Sequence, residues 1–158
     1  MIRTEKRMRL CSALLAVNLI VIWGNSLLPG DVSGAISDAV KAILMPIVEL
    51  FFPGSGSAEG GGGLLRKLAH FTEFACLGIC LTWLLAMLQR HKALPLLFGF
   101  LTACVDETIQ AFVPGRNPSP VDVAIDTSGV ITGMILLLTG YYIYKKRKTN
   151  HKLEENEL

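Results

Sequence analysis

The chain has 158 residues, of which 51% are hydrophobic and 18% charged, and its mean hydropathy of +0.48 is one that soluble domains seldom reach. Disorder needs low hydrophobicity with high net charge, and a nucleic-acid module needs a strongly basic face; 15 Lys and Arg against 13 Asp and Glu leave only +2. Both classes are excluded, and the long uncharged tracts between the charges point to a membrane protein.

The first tract, residues 10–30, contains no Asp, Glu, Lys, Arg or His. At about 1.5 Å rise per residue it measures about 30 Å, the thickness of a hydrocarbon core. The basic leader Arg3, Lys6, Arg7 and Arg9 also suits a signal peptide, but the apolar run is long for one and no small-x-small cleavage site follows, so an uncleaved helix is expected. Residues 31–67 form a large loop in two parts. Val32, Ile36, Val40, Ile43, Leu44, Ile47 and Phe51 recur at helical spacing with Ser33, Ser37, Lys41 and Glu49 between them, as in an amphipathic helix on a membrane surface, and Pro46 is expected to kink it. The glycine- and serine-rich run 53–63 is a flexible linker by composition.

Three further spans follow, over 68–89, 93–113 and 121–144, each with acids at one end only. Cys11, Cys76, Cys80 and Cys104 lie inside the apolar tracts without a Cys-x-x-Cys pair and are read as packing residues. The expected architecture is a single all-α domain over 1–158, an integral membrane bundle of about four transmembrane helices with an amphipathic helix in the first external loop.

Basic residues are retained on the cytoplasmic side of a membrane. Eleven of the 15 lie in the N-terminal segment, the Arg90-His91-Lys92 turn and the tail after Tyr144, against Lys41, Arg66, Lys67 and Arg116 elsewhere. Both termini are therefore expected in the cytoplasm, with Tyr141, Tyr142 and Tyr144 as an interfacial belt. With that topology Glu73, Asp106 and Asp126 each fall about 7 to 10 Å inside the external end of their helices, in one layer. An acid there costs about 2.5 to 3.5 kcal/mol on insertion scales, so it is expected to face protein or water.

Lys67, His70 and Glu73 share one helix face, as do Asp106 and Gln110, and Asp122 and Asp126; Glu107 lies beside them and Arg116 reaches over the same layer from the turn. Structural alternatives stand beside the functional ones. Ser119 can cap the last helix with Asp122 as its reciprocal partner and Pro120 at the first position. Lys67 and Arg66 can be headgroup anchors, His70 an interhelical hydrogen bonder, and Arg116 an ion-pair partner of Glu107 or Asp122. Gly129 and Gly133 form a G-x-x-x-G pattern, either for packing inside the bundle or for a homodimer seam.

The segments 66–74, with His70 and Glu73, and 106–116, of the form D-E-x-x-Q-x-x-x-P-G-R, followed by D-x-x-x-D-x-x-G from Asp122, resemble the VanZ-like family of bacterial membrane proteins. The likeness runs from about Ser26 to Gly140; Phe74 stands where a Tyr is frequent in the family, and Asn25-Ser26 where paired serines are. It implies a multi-pass protein of the bacterial cell membrane with a role in teicoplanin (glycopeptide) resistance or cell-envelope homeostasis. Two uses of the external polar layer follow. In a membrane enzyme acting on an envelope lipid or peptidoglycan-related substrate, His70, Asp106, Glu107 and Asp126 carry the catalysis, with a divalent metal as a candidate cofactor. Lys67, Glu73, Gln110, Arg116 and Asp122 then bind the substrate. In a non-catalytic module the same pocket binds or shields a lipoglycopeptide or envelope lipid; a small proton-coupled carrier is a third reading. The expected partners are the lipid bilayer and such a ligand, with no nucleic acid.

Overall fold

The computed structural model describes residues 2–51 and 61–156, with side chains described over 4–43 and 65–150. Among the described residues there are five helices and no strand: α1 (Ile2–Ser26), α2 (Gly30–Phe51), α3 (Gly61–Met87), α4 (Leu94–Ala111) and α5 (Pro120–Asn156). Four are long and apolar enough to cross a membrane, over Thr4–Ser26, Leu65–Met87, Leu94–Ala111 and Pro120–Asn150. The shortest of these, α4, has 18 residues, about 27 Å at 1.5 Å per residue. The all-α membrane bundle expected from hydropathy is therefore the fold.

Its burial is inverted relative to a soluble protein. Ile20, Val17, Phe98, Leu101, Ile135 and Leu138 are exposed, whereas Asp106, Asp126, Gln110, Arg116 and Ser26 are buried. Lipid solvates the apolar exterior, and the polar groups collect where protein replaces water. A small apolar core of Ile22, Phe74, Leu77, Leu81, Ala103 and Val130 joins α1, α3, α4 and α5. Phe74, at the position where the resembled family favours Tyr, is a fully buried member of it.

The helix limits differ from the expected spans for local reasons. α1 stops at Ser26 rather than at residue 30, because Pro29 disfavours helical backbone at Leu28. α3 ends in a Schellman motif: Gln89 adopts φ 52°, the Arg90 N–H donates to the Leu85 carbonyl (2.9 Å), and the Gln89 N–H to that of Ala86 (3.1 Å). α4 starts with a proline in its first turn. α5 runs past Tyr144 to Asn156, so the basic tail through residue 156 continues the last span as helix. Of the linker expected over 53–63, residues 53–60 lie outside the described residues, and Gly61, Gly62 and Gly63 belong to α3.

α2 packs on α3 and continues through Pro46 to Phe51. Over residues 30–43 its half-buried positions are Gly30, Ser33, Gly34, Ser37 and Lys41, while Val32, Ile36, Val40 and Ile43 are 39–71% exposed. The apolar stripe thus stays open rather than packed, with Ile36 and Val40 bordering the space between α2 and α3, as suits a helix bedded in lipid.

The α3–α5 pair is the most extensive helix contact, and small residues allow it. A Cβ on Gly129 would sit 2.5 Å from the Phe71 carbonyl oxygen, and one on Gly133 would collide with that of Ala75. Of the two uses open to this glycine pair, the fold realises packing inside the bundle; a homodimer seam at these two residues would have to displace α3.

Candidate functional site

The polar residues meet at the α2 end of the bundle. His70 and Glu73 come from α3, Asp106, Glu107 and Gln110 from α4, and Asp126 from α5. His70 Nδ1 lies 3.8 Å from Glu73 Oε2 and 3.9 Å from Asp106 Oδ2. One potential ligand atom from each of His70, Asp106 and Asp126 lies within 4.8 Å of the others, so this trio could hold a metal ion. Asp106 is 0% and Asp126 2% exposed, which puts both carboxylates deep among the helices.

Several residues are tied down by the frame around this trio. Gln110 Nε2 donates its two hydrogens to Asp106 Oδ2 (2.9 Å) and Glu107 Oε1 (3.2 Å), with Ser26 Oγ of α1 at 3.4 Å, and so holds both acids of α4 beside α1. Glu107 Oε2 accepts the Ser119 N–H (2.8 Å), while Ser119 Oγ accepts that of Val121 (3.1 Å). Ser119 is therefore the N-cap of α5, as expected, but its reciprocal partner is Glu107 from α4 rather than Asp122. Asp122 is engaged elsewhere, in an ion pair with Lys67 at 3.0 Å. The alternatives for these two residues resolve into a bridge between the first turn of α5 and α3.

Arg116 pairs with neither Glu107 nor Asp122. It reaches the end of α1, donating from Nε to the Leu28 carbonyl (3.0 Å) and from Nη2 to that of Asn25 (2.6 Å). Arginine satisfies carbonyls left open where a helix ends. The turn that delivers it is fixed by Gly115 at φ +73° and by the Gly30 N–H donating to the Pro114 carbonyl (3.0 Å). A Cβ on Gly30 would strike the Gly115 carbonyl oxygen, so the start of α2 and this turn meet backbone to backbone. Burial pushes the Arg116 guanidinium down from its ordinary value.

Three site residues were missed in the sequence, all on α1. Asn25 Nδ2 donates to Glu73 Oε1, Asn18 Nδ2 to the Glu73 carbonyl (3.2 Å), and Ser26 is buried against Gln110. Their signal was present: residues 18, 25 and 26 are spaced i, i+7, i+8, a polar stripe on one face of an apolar span.

The frame leaves specific atoms over. His70 Nδ1, Glu73 Oε2, Asp106 Oδ1 and Arg116 Nη1 are buried without a hydrogen-bond partner, a costly state unless a ligand or water meets them. Beside them a cavity of about 550 Å³ lies between α1, α2 and α3. Ile36, Val40, Leu65 and Leu68 line it together with Asn25, His70, Glu73 and Arg116. A second, water-sized space on the other side of His70 is lined by Lys67, Glu107, Asp122 and Asp126. The imidazole thus borders both.

The VanZ/LLP1 family model matches residues 11–143. No curated protein and no solved structure gives a significant match.

Proposed function

The chain belongs to the VanZ/LLP1 family, and on that premise we propose that it serves the bacterial cell envelope. Its role is glycopeptide tolerance or envelope homeostasis, exercised when an acidic amphiphile, an envelope lipid or an acyl-bearing glycopeptide, enters the cavity beneath α2 from the external leaflet. The observation that carries the reading is the cavity's composition. It is apolar along Ile36, Val40 and Leu68 and ends on His70, Glu73 and Arg116, and the Arg116 Nη1 there has no partner. An acyl chain fits the first surface and a phosphate or carboxylate the second, since a guanidinium N–H makes strong hydrogen bonds to such anions. The excess of basic residues at the opposite end supports the placement of the α2 end outside.

The test is teicoplanin susceptibility of cells expressing the wild type, Asp106→Asn or Asp126→Asn, with membrane abundance measured in parallel. Loss of tolerance at unchanged abundance is expected for both. Tolerance that persists in both variants, or that falls only in step with abundance, overturns the reading. Measuring the lipid composition of the same strains separates a lipid ligand from the drug itself.

A further inference from the structure

We propose that His70, Asp106 and Asp126 form a binding site for one divalent transition-metal ion of the Mn²⁺ or Zn²⁺ class. This deepens the reading given above, since the ion would lie between the amphiphile cavity and the water-sized space, both of which His70 borders. The three donors come from three helices, α3, α4 and α5, and converge at one depth with ligand atoms within 4.8 Å of one another. Bonds of about 2.0 to 2.2 Å to a common ion put donor atoms about 3 to 4 Å apart, so a small inward rotation of the side chains closes the site.

Convergence of acids alone would not make a site; the unmet atoms do. Asp126 is 2% exposed and borders the water-sized space, and among the described residues no hydrogen bond and no lysine or arginine ion pair reaches its side chain. Asp106 Oδ1 and His70 Nδ1 are also buried and make no hydrogen bond, the imidazole nitrogen lying 3.8 to 3.9 Å from the nearest Glu73 and Asp106 oxygens. Two carboxylates out of water need positive charge close by. Of the nearest described cations, Lys67 pairs with Asp122, Arg116 directs Nε and Nη2 to the carbonyls of Leu28 and Asn25, and Arg66, which borders the water-sized space, makes no ion pair with either carboxylate. Gln110 meanwhile holds Asp106 by Oδ2, the oxygen 3.9 Å from His70 Nδ1, and leaves the buried Oδ1 without a hydrogen bond, as an outer hydrogen bond commonly orients a metal ligand. Two oxygen donors and one imidazole suit Mn²⁺ or Zn²⁺ better than Ca²⁺ or Cu⁺.

The experiment uses full-length protein in detergent micelles, stripped with chelator and titrated with Mn²⁺ or Zn²⁺ alone by calorimetry. Saturable binding of one ion is expected. Asp126→Asn and His70→Ala should each weaken it on the order of a hundredfold, while Thr132→Ala, on the exposed side of α5, leaves it unchanged. Pulsed electron paramagnetic resonance of the Mn²⁺-loaded wild type needs no variant and should show nitrogen modulation from one imidazole. No saturable uptake of either ion, uptake undiminished in both variants, or a Mn²⁺ signal without that modulation overturns the proposal. No amphiphile is present, so failure here leaves the cavity reading intact, and failure of the tolerance assay leaves the metal site intact.

Discussion

Glu107 and Asp126 carry the same charged group and serve opposite ends. Glu107 has both oxygens occupied, by the Ser119 N–H and by Gln110. It holds the start of α5 and so positions the site. Asp126 receives no such bond among the described residues, and its charged form is a cost that a bound cation or a proton would offset. Substitution should separate them in thermal denaturation of the metal-free protein in micelles. Glu107→Ala, which strands a buried N–H and an amide, should lower stability by about 2 to 3 kcal/mol, and Ser119→Ala by about 1 kcal/mol. Asp126→Asn should not lower it, because the change removes an uncompensated buried charge. A melting temperature that falls most in Asp126→Asn would mean that this acid is a structural tie.

Elements are positioned by small residues and turns. The α3–α5 contact brings Asp126 beside His70, and it depends on Gly129 and Gly133 lying against the α3 backbone. Gly133→Leu should force the pair apart and abolish accumulation of folded protein in the membrane. Gly140, with nothing within 4 Å of an added Cβ, should accept Ala with a gain of up to about 1 kcal/mol from helix propensity. Equal damage from both substitutions, read by membrane abundance and melting, would show that chain composition rather than helix contact is the sensitive quantity. The capping of α5 shows where sequence reading stops. Ser119, Pro120 and Asp122 carry a complete local capping signal, yet Asp122 is held by Lys67 and Glu107 takes its place. A local pattern names the cap but not a competitor from another helix.

Across the whole molecule, the charge pattern and the fold agree on one geometry. Arg9 of α1 and Leu88 beyond α3 line the same groove, so the basic leader and the Arg90 turn lie at one end, opposite α2. Fusions of alkaline phosphatase at residue 60 and of green fluorescent protein after Leu158 should both be active in cells. An inactive phosphatase with a dark C-terminal fusion would invert the topology and remove the outward direction of the site. Hydropathy runs, basic asymmetry and acids at one end of three spans determined the helix number, the membrane class and the shared layer of His70, Glu73, Asp106 and Asp126, because each is a one-dimensional quantity set by residue type and by 1.5 Å of rise. Which polar groups are occupied and which are left over was decided only in three dimensions. Arg116 turning to the end of α1, Asn18 and Asn25 holding Glu73, and Ile36 and Val40 of α2 bordering a cavity over α3 depend on distances between segments far apart in the chain, which spacing along a sequence does not encode.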